Sequence, residues 1–274
     1  MSGKLLGKSW LDDLTLNVTS EAGSYAVTNL QNVQPGRVWR STDLTDQVIT
    51  ADLGQVREIT GFAIYAHNLG IDSEITFEIA TDITFSTILY TTTFPGVTPL
   101  YGWGIQPLGL YGLGGYSDEG IVQTFSTHWT ADLQTGSAVR ITISDPTNSD
   151  GYIEAGRLKV GYAVDVPIAP GYAMGFNEQT ALTRTRGGAL RSDNRPAYRW
   201  ANIETVLMDI TEETRLMDLY EDVGRRSDVL WAAFPGEGTT RERRNTILGR
   251  IVSAGGATIT NEGTLSTLTI EEAL

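Results

Sequence analysis

The stretch QVITADLGQVREITGFAIYAHNL, residues 47–69, decides the fold. Residues 47–53 (QVITADL) and 59–67 (ITGFAIYAH) are rich in β-branched and aromatic side chains, which suit a pleated surface, and Gly54 stands between them. Farther along, residues 75–80 (ITFEIA) place Ile75, Phe77 and Ile79 on one face, because side chains alternate along a strand. Residues 138–144 (AVRITIS) and 153–162 (IEAGRLKVGY) extend the series. Short strands of this kind, separated by Gly, Asn, Asp and Pro clusters from about Leu14 to Val164, specify a β-sandwich or barrel.

The pattern breaks at residues 165–171 (DVPIAPG), whose two prolines cannot donate to a strand ladder and favour an extended linker. Beyond it, residues 211–223 (TEETRLMDLYEDV) predict a helix. Thr211 can cap it, Glu212 and Glu213 suit its positive end, and Leu216, Leu219, Tyr220 and Val223 form one apolar stripe before Gly224. Strands are expected on both sides, near 197–209, 228–234, 246–252, 257–260 and 264–270. The chain is therefore expected to be mainly β, with a sandwich over residues 1–164, a linker, and a small split β-barrel with one α-helix over 172–274.

Composition narrows the function. The 274 residues suit two domains at roughly 100–200 residues each. There is no cysteine, hence no disulfide, thiolate metal site or cysteine nucleophile. No apolar run approaches the roughly 18 residues of a membrane span, and the first ten residues lack a signal-peptide core, so assembly in a cytoplasm is expected. A formal charge of −13 disfavours nucleic acid and anionic lipid as partners. Residues 171–274 hold 12 basic side chains, every one an arginine. Arginine is enriched at protein interfaces because its planar fork makes several directed hydrogen bonds, which marks this half for docking.

Catalytic motifs are wanting. The two histidines, His67 and His128, sit in no metal-ligand spacing; His128 reads as a strand residue with a satisfied ring nitrogen, and His67 as a strand end before a turn. Residues 145–151 (DPTNSDG) superficially resemble a calcium loop, but the twelfth place carries no acid and a turn is expected; no cofactor is expected, and calcium lacks a ligand set. The adjacent acids Asp12 and Asp13, like Asp118 and Glu119, point apart on extended chain and do not make a glycosidase pair. Residues 95–120 break the strand pattern with many glycines and with Tyr101, Trp103, Tyr111 and Tyr116. These four are candidate contacts for a sugar ring or a partner's pocket, or they fold over their own sandwich. The chain is expected not to be an enzyme.

Residues 47–69 resemble the strand pair of discoidin-like, or galactose-binding-like, jelly-roll domains, with Asp52-Leu53-Gly54 and Ile59-Thr60-Gly61 matching. Residues 152–158 (YIEAGRL) resemble the last strand of such domains. That resemblance implies binding of glycans, lipids or proteins through loops at one end of the sandwich. Residues 172–274 resemble the split barrel of distal tail proteins in long-tailed bacteriophages, on element order and on segments 183–188 (TRTRGG) and 231–236 (WAAFPG). This second resemblance implies a virion tail-tip protein that forms a ring, hexameric or trimeric, joins other tail proteins and uses the sandwich to contact either a partner protein or host-surface glycan. Arg191, Arg195, Tyr198, Arg199, Arg241, Arg243 and Arg244 are the candidate ring-interface residues. A free carbohydrate-binding module, or an accessory of an envelope-degrading enzyme, is the alternative reading.

Overall fold

The computed structural model describes residues 2–97, 124–170, 172–184, 186–193, 195–205, 210–238, 240–255, 258–260 and 263–273. The chain is mainly β and forms two compact units, one of Trp10–Val160 and one of Met1–Ser9 with Gly161–Leu274. After β1 (Ser2–Leu6) come β2 (Leu16–Val18), a 3-10 turn (Val27–Gln31), β3 (Trp39–Arg40), β4 (Gln47–Tyr65) and β5 (Glu74–Ala80). The sandwich then continues through β6 (Ile88–Pro95), β7 (Phe125–Ser144), β8 (Glu154–Ala155) and β9 (Arg157–Gly161).

The two strands expected at 47–53 and 59–67 are halves of one, β4, with 19 residues, and its partner β7 has 20. Both fold over. The register shifts between Asp52 and Arg57, where Gly54 takes a φ of +69° and donates its N–H to Asp52 Oδ1 at 2.8 Å. A left-handed residue there costs glycine little. On one side of the bend Gln47 pairs Ile143 and β5 adds to β7, Glu74 opposite Ser144; on the other, Tyr65 pairs Phe125. Phe62 from the second half packs on Phe77 of β5 at 5.1 Å and on Phe94 of β6 at 5.8 Å, so the two halves face each other. Between them lie Ile49, Leu53, Ile64, Ile75, Ile79, Val139, Ile141, Leu158 and Trp39, all buried. The result is a jelly-roll sandwich in which two strands belong to both sheets.

That bend sorts the loops. Gln47, Tyr65, Glu74, Pro95, Phe125 and Ser144 all come to one end, because each is the ladder partner of another or closes the same folded strand. The bend itself lies at the other end, where Trp10 Nε1 donates to the Glu58 carbonyl at 2.8 Å and the chain enters and leaves the sandwich.

The second unit continues through β10 (Ala163–Pro167), β11 (Ala173–Asn177), β12 (Ala181–Arg184), β13 (Leu190–Asp193) and β14 (Tyr198–Glu204). It closes with α1 (Ile210–Val223), β15 (Val229–Ala232), α2 (Thr240–Arg244), β16 (Thr246–Ala254), β17 (Thr258–Thr260), β18 (Gly263–Leu265) and β19 (Thr267–Glu272). Six of these strands and β1 form an antiparallel sheet in the order β10-β1-β15-β16-β19-β14-β11. Ile168 bridges to Thr205 and Ala169 donates to the Glu204 carbonyl at 2.7 Å, which curls the β10 side of the sheet toward β14. Leu216, Leu219 and Val223 of α1 are buried with Trp231, Ile247, Ile251 and Ile270, as the apolar stripe requires.

The expected linker at 165–171 is corrected here. Residues 163–167 form β10, and all five residues of β1 pair with it, from Ser2 opposite Pro167 to Leu6 opposite Ala163. Pro167 is tolerated because it ends a strand at the sheet's edge, where its missing N–H breaks no ladder. The expected sandwich start at residue 1 is corrected with it: the first strand belongs to the other unit, and residues 10–160 are an insertion between β1 and β10.

Candidate ligand-binding end of the sandwich

At the loop end, β3 and β8 form a two-stranded pair with Trp39 opposite Ala155 and Arg40 opposite Glu154. Trp39 points inward and is fully buried, so alternation sends Arg40 outward. Its guanidinium lies between two rings, 4.2 Å from the centroid of Tyr25 and 4.0 Å from that of Tyr152. Arg40 Nε and Nη2 both donate to Glu154 Oε2, at 2.9 and 2.5 Å. The hydrogen bond to Glu154 raises the Arg40 pKa above its ordinary value, against the opposing effect of burial. Tyr25 remains 37% exposed. A cation held between two aromatic faces and locked to a carboxylate is a pre-organised, amphipathic surface.

Asn68 joins this stack to the neighbouring loop. Its Nδ2 donates to Asp150 Oδ2 at 2.9 Å and to the Tyr152 carbonyl at 3.0 Å, and its Oδ1 accepts from Glu154 N at 2.8 Å. Residues 145–151 are a turn, as expected: Asn148 N donates to the Asp145 carbonyl, and Gly151 N, at a φ of +77°, to that of Asn148. Asp145 is fully buried, and its Oδ2 accepts from Gly70 N at 2.8 Å and Asn148 Nδ2 at 2.9 Å. Among the described residues no three His, Cys, Asp or Glu side chains are grouped to hold a metal ion.

His67 sits just past the end of β4 and is buried. Leu69 N donates to its Nδ1 at 3.3 Å, which leaves the neutral ring's proton on Nε2, 2.9 Å from Ser126 Oγ; Ser126 in turn donates to the Gly96 carbonyl. Burial holds the His67 pKa down to about 4. His128 is a strand residue with a satisfied nitrogen, 2.9 Å from the Tyr90 hydroxyl and stacked on Phe94 at 4.9 Å. Burial lowers its pKa as well.

Tyr101, Trp103, Tyr111 and Tyr116 lie outside the described residues. The candidate interface arginines separate into two groups in the other unit. Arg191 is exposed on β13, and Arg195 pairs with Asp193 at 3.0 Å just beyond it. Arg199 is committed inside its own chain: its guanidinium pairs with Glu272, and Nη1 reaches the Arg244 carbonyl at 3.4 Å. Arg241 lies over the Phe234 ring at 3.5 Å, beside Arg243 and Arg244 on α2, and burial lowers the Arg243 pKa. Tyr198 accepts from Asn177 Nδ2 at 2.5 Å. Arg40, Tyr25 and Tyr152 escape a sequence reading because they are far apart along the chain; YIEAGRL marks a strand but does not say that Arg40 pairs with its glutamate.

No family model and no curated protein matches the chain. Among solved structures, the family 32 carbohydrate-binding module of C. perfringens NanJ, in complex with galactose, is 15% identical, with 57% of this chain and 98% of that one aligned at a TM-score of 0.37. Chitosan-binding module 1 from a Paenibacillus sp. chitosanase/glucanase is 13% identical over 56% of this chain and 98% of its own, at 0.39. A Ruminococcus gnavus fucosidase in complex with fucose is 12% identical over 56% of this chain and 26% of its own, also at 0.39. Likeness at this level assigns neither a ligand nor a partner.

Proposed function

We propose that the sandwich unit binds a glycan at the end built from Tyr25, Arg40, Asn68, Asp150 and Tyr152. Sugars are held by aromatic faces against their C–H groups and by a few fixed polar groups against their hydroxyls. The observation that carries the reading is the Tyr25–Arg40–Tyr152 stack, half-exposed and locked by Glu154, next to the exposed carboxylate of Asp150. Oriented groups of this kind spend little entropy on binding.

Calorimetric titration with galactosides and chito-oligosaccharides tests it. The wild type is expected to give saturable heat that is lost in Tyr25→Ala and in Asp150→Ala, with the melting temperature unchanged. Saturable binding that persists in both variants would sink the reading. A Trp103→Ala, Tyr111→Ala variant measures separately what the aromatic segment adds.

A second reading concerns the other unit, which assembles with copies of itself as the tail-tip resemblance implies. The β12–β13 hairpin supports it: residues 183, 184, 186–193 and 195–197 are all exposed, and Phe176 at the end of β11 is 75% exposed. Two-stranded ribbons are marginal alone in water, so one left bare is stabilised by a neighbour. Light scattering across a concentration series reads the ring: growth to a trimer or hexamer supports assembly, and a persistent monomer counts against it.

A further inference from the structure

We infer that the basic β12–β13 hairpin of one copy docks on the acidic outer stripe of α1 in the next. This rests on the self-assembly reading and names the two surfaces involved.

The charges divide within one unit. Arg184, Arg186 and Arg191 are exposed on the hairpin, with no ion pair among the described residues. The register sets Arg184 opposite Leu190, so the two share a face of the ribbon, and Leu190 is 59% exposed. On α1, Asp218, Glu221 and Asp222 are exposed and likewise have no ion pair among the described residues. Their i, i+3, i+4 spacing puts them on one face, away from buried Leu216, Leu219 and Val223. Arg215, the arginine within α1, is engaged over the Tyr162 ring at 4.7 Å; Arg225 and Arg226 follow beyond the helix end.

Stacked carboxylates on one helix face repel each other until a cation meets them. At a net charge of −13, copies of this chain repel in general. Attraction between copies therefore needs a local basic surface, and the hairpin supplies one with Leu190 beside it as an apolar contact. Two different patches on one unit give a head-to-tail contact, which closes into a ring when the rotation permits.

A charge-swap experiment on the full chain decides it, read by sedimentation velocity. Arg184→Glu with Arg186→Glu is expected to weaken self-association by at least about tenfold, and Asp218→Lys with Glu221→Lys to do the same. Combining all four substitutions restores assembly if the patches meet. Oligomers that survive both reversals overturn this inference and leave self-assembly standing. A wild type that stays monomeric at every concentration overturns both. Circular dichroism of each variant separates lost assembly from lost folding.

Discussion

Trp10 donates its backbone N–H to the carbonyl of Val160 at 2.8 Å, so the first and last residues of the sandwich unit are tied to one another. An insertion whose ends meet imposes little strain on its host. Replacing residues 10–160 with a short Gly-Ser linker is expected to leave β1 paired with β10 and a cooperative thermal transition in the remaining unit. A broad, non-cooperative melt by circular dichroism would mean that the host unit depends on its insert.

Asp12 holds the guanidinium of Arg157, which is fully buried, through both of its carboxylate oxygens. Removing one member of a buried pair costs far more than the pair contributes, because the remaining charge loses its compensation. Asp12→Ala is expected to destabilise the sandwich by about 3–5 kcal/mol, measured by urea denaturation. A loss under about 1 kcal/mol would show that water or another group takes over the charge.

Acid should weaken the sandwich through His67. Its pKa is about 4 in the folded state against an ordinary 6.5, so the unfolded chain binds the proton first. Stability is then unaffected above pH 6.5, falls as the pH drops toward 4, and levels off below. A gap of this size corresponds to roughly 3 kcal/mol at most. His67→Gln is expected to flatten that part of the stability profile, and an unchanged slope would place the acid sensitivity elsewhere.

Gly156 joins β8 to β9, and a Cβ there would stand 1.9 Å from the Pro35 carbonyl oxygen. Backbone cannot yield as a side-chain tip can, so Gly156→Ala is expected to cost at least about 3 kcal/mol or to prevent folding. Near-native stability on chemical denaturation would show that the Pro35 segment is free to move.

The sandwich was legible where its pattern is local. Ile75, Phe77 and Ile79 announce their strand, and Leu216, Leu219 and Val223 their helix, because the spacing that buries them is written within one element. Residues 47–69 reveal two apolar runs but not that they are one folded strand, since the bend at Gly54 keeps the ladder alive on either side. The assignment of Ser2–Leu6 to the far unit was illegible for a different reason. Its partners, β10 and β15, lie far along the chain, and neither composition nor period carries pairing information over that distance. The same distance hid the candidate binding end, where Tyr25, Arg40, Asn68, Asp150 and Tyr152 meet only after folding.

The position of β1 between β10 and β15 also sets a timetable for synthesis. Ser2–Leu6 leaves the ribosome ahead of its partners, Ala163–Pro167 and Val229–Ala232, which follow only after the whole sandwich has been made. The inserted unit can fold as soon as Val160 has emerged, since domains generally fold as they are completed. Ser2–Leu6 therefore waits unpaired until the strands on the far side of the sandwich have been made, and their arrival decides whether it finds its place.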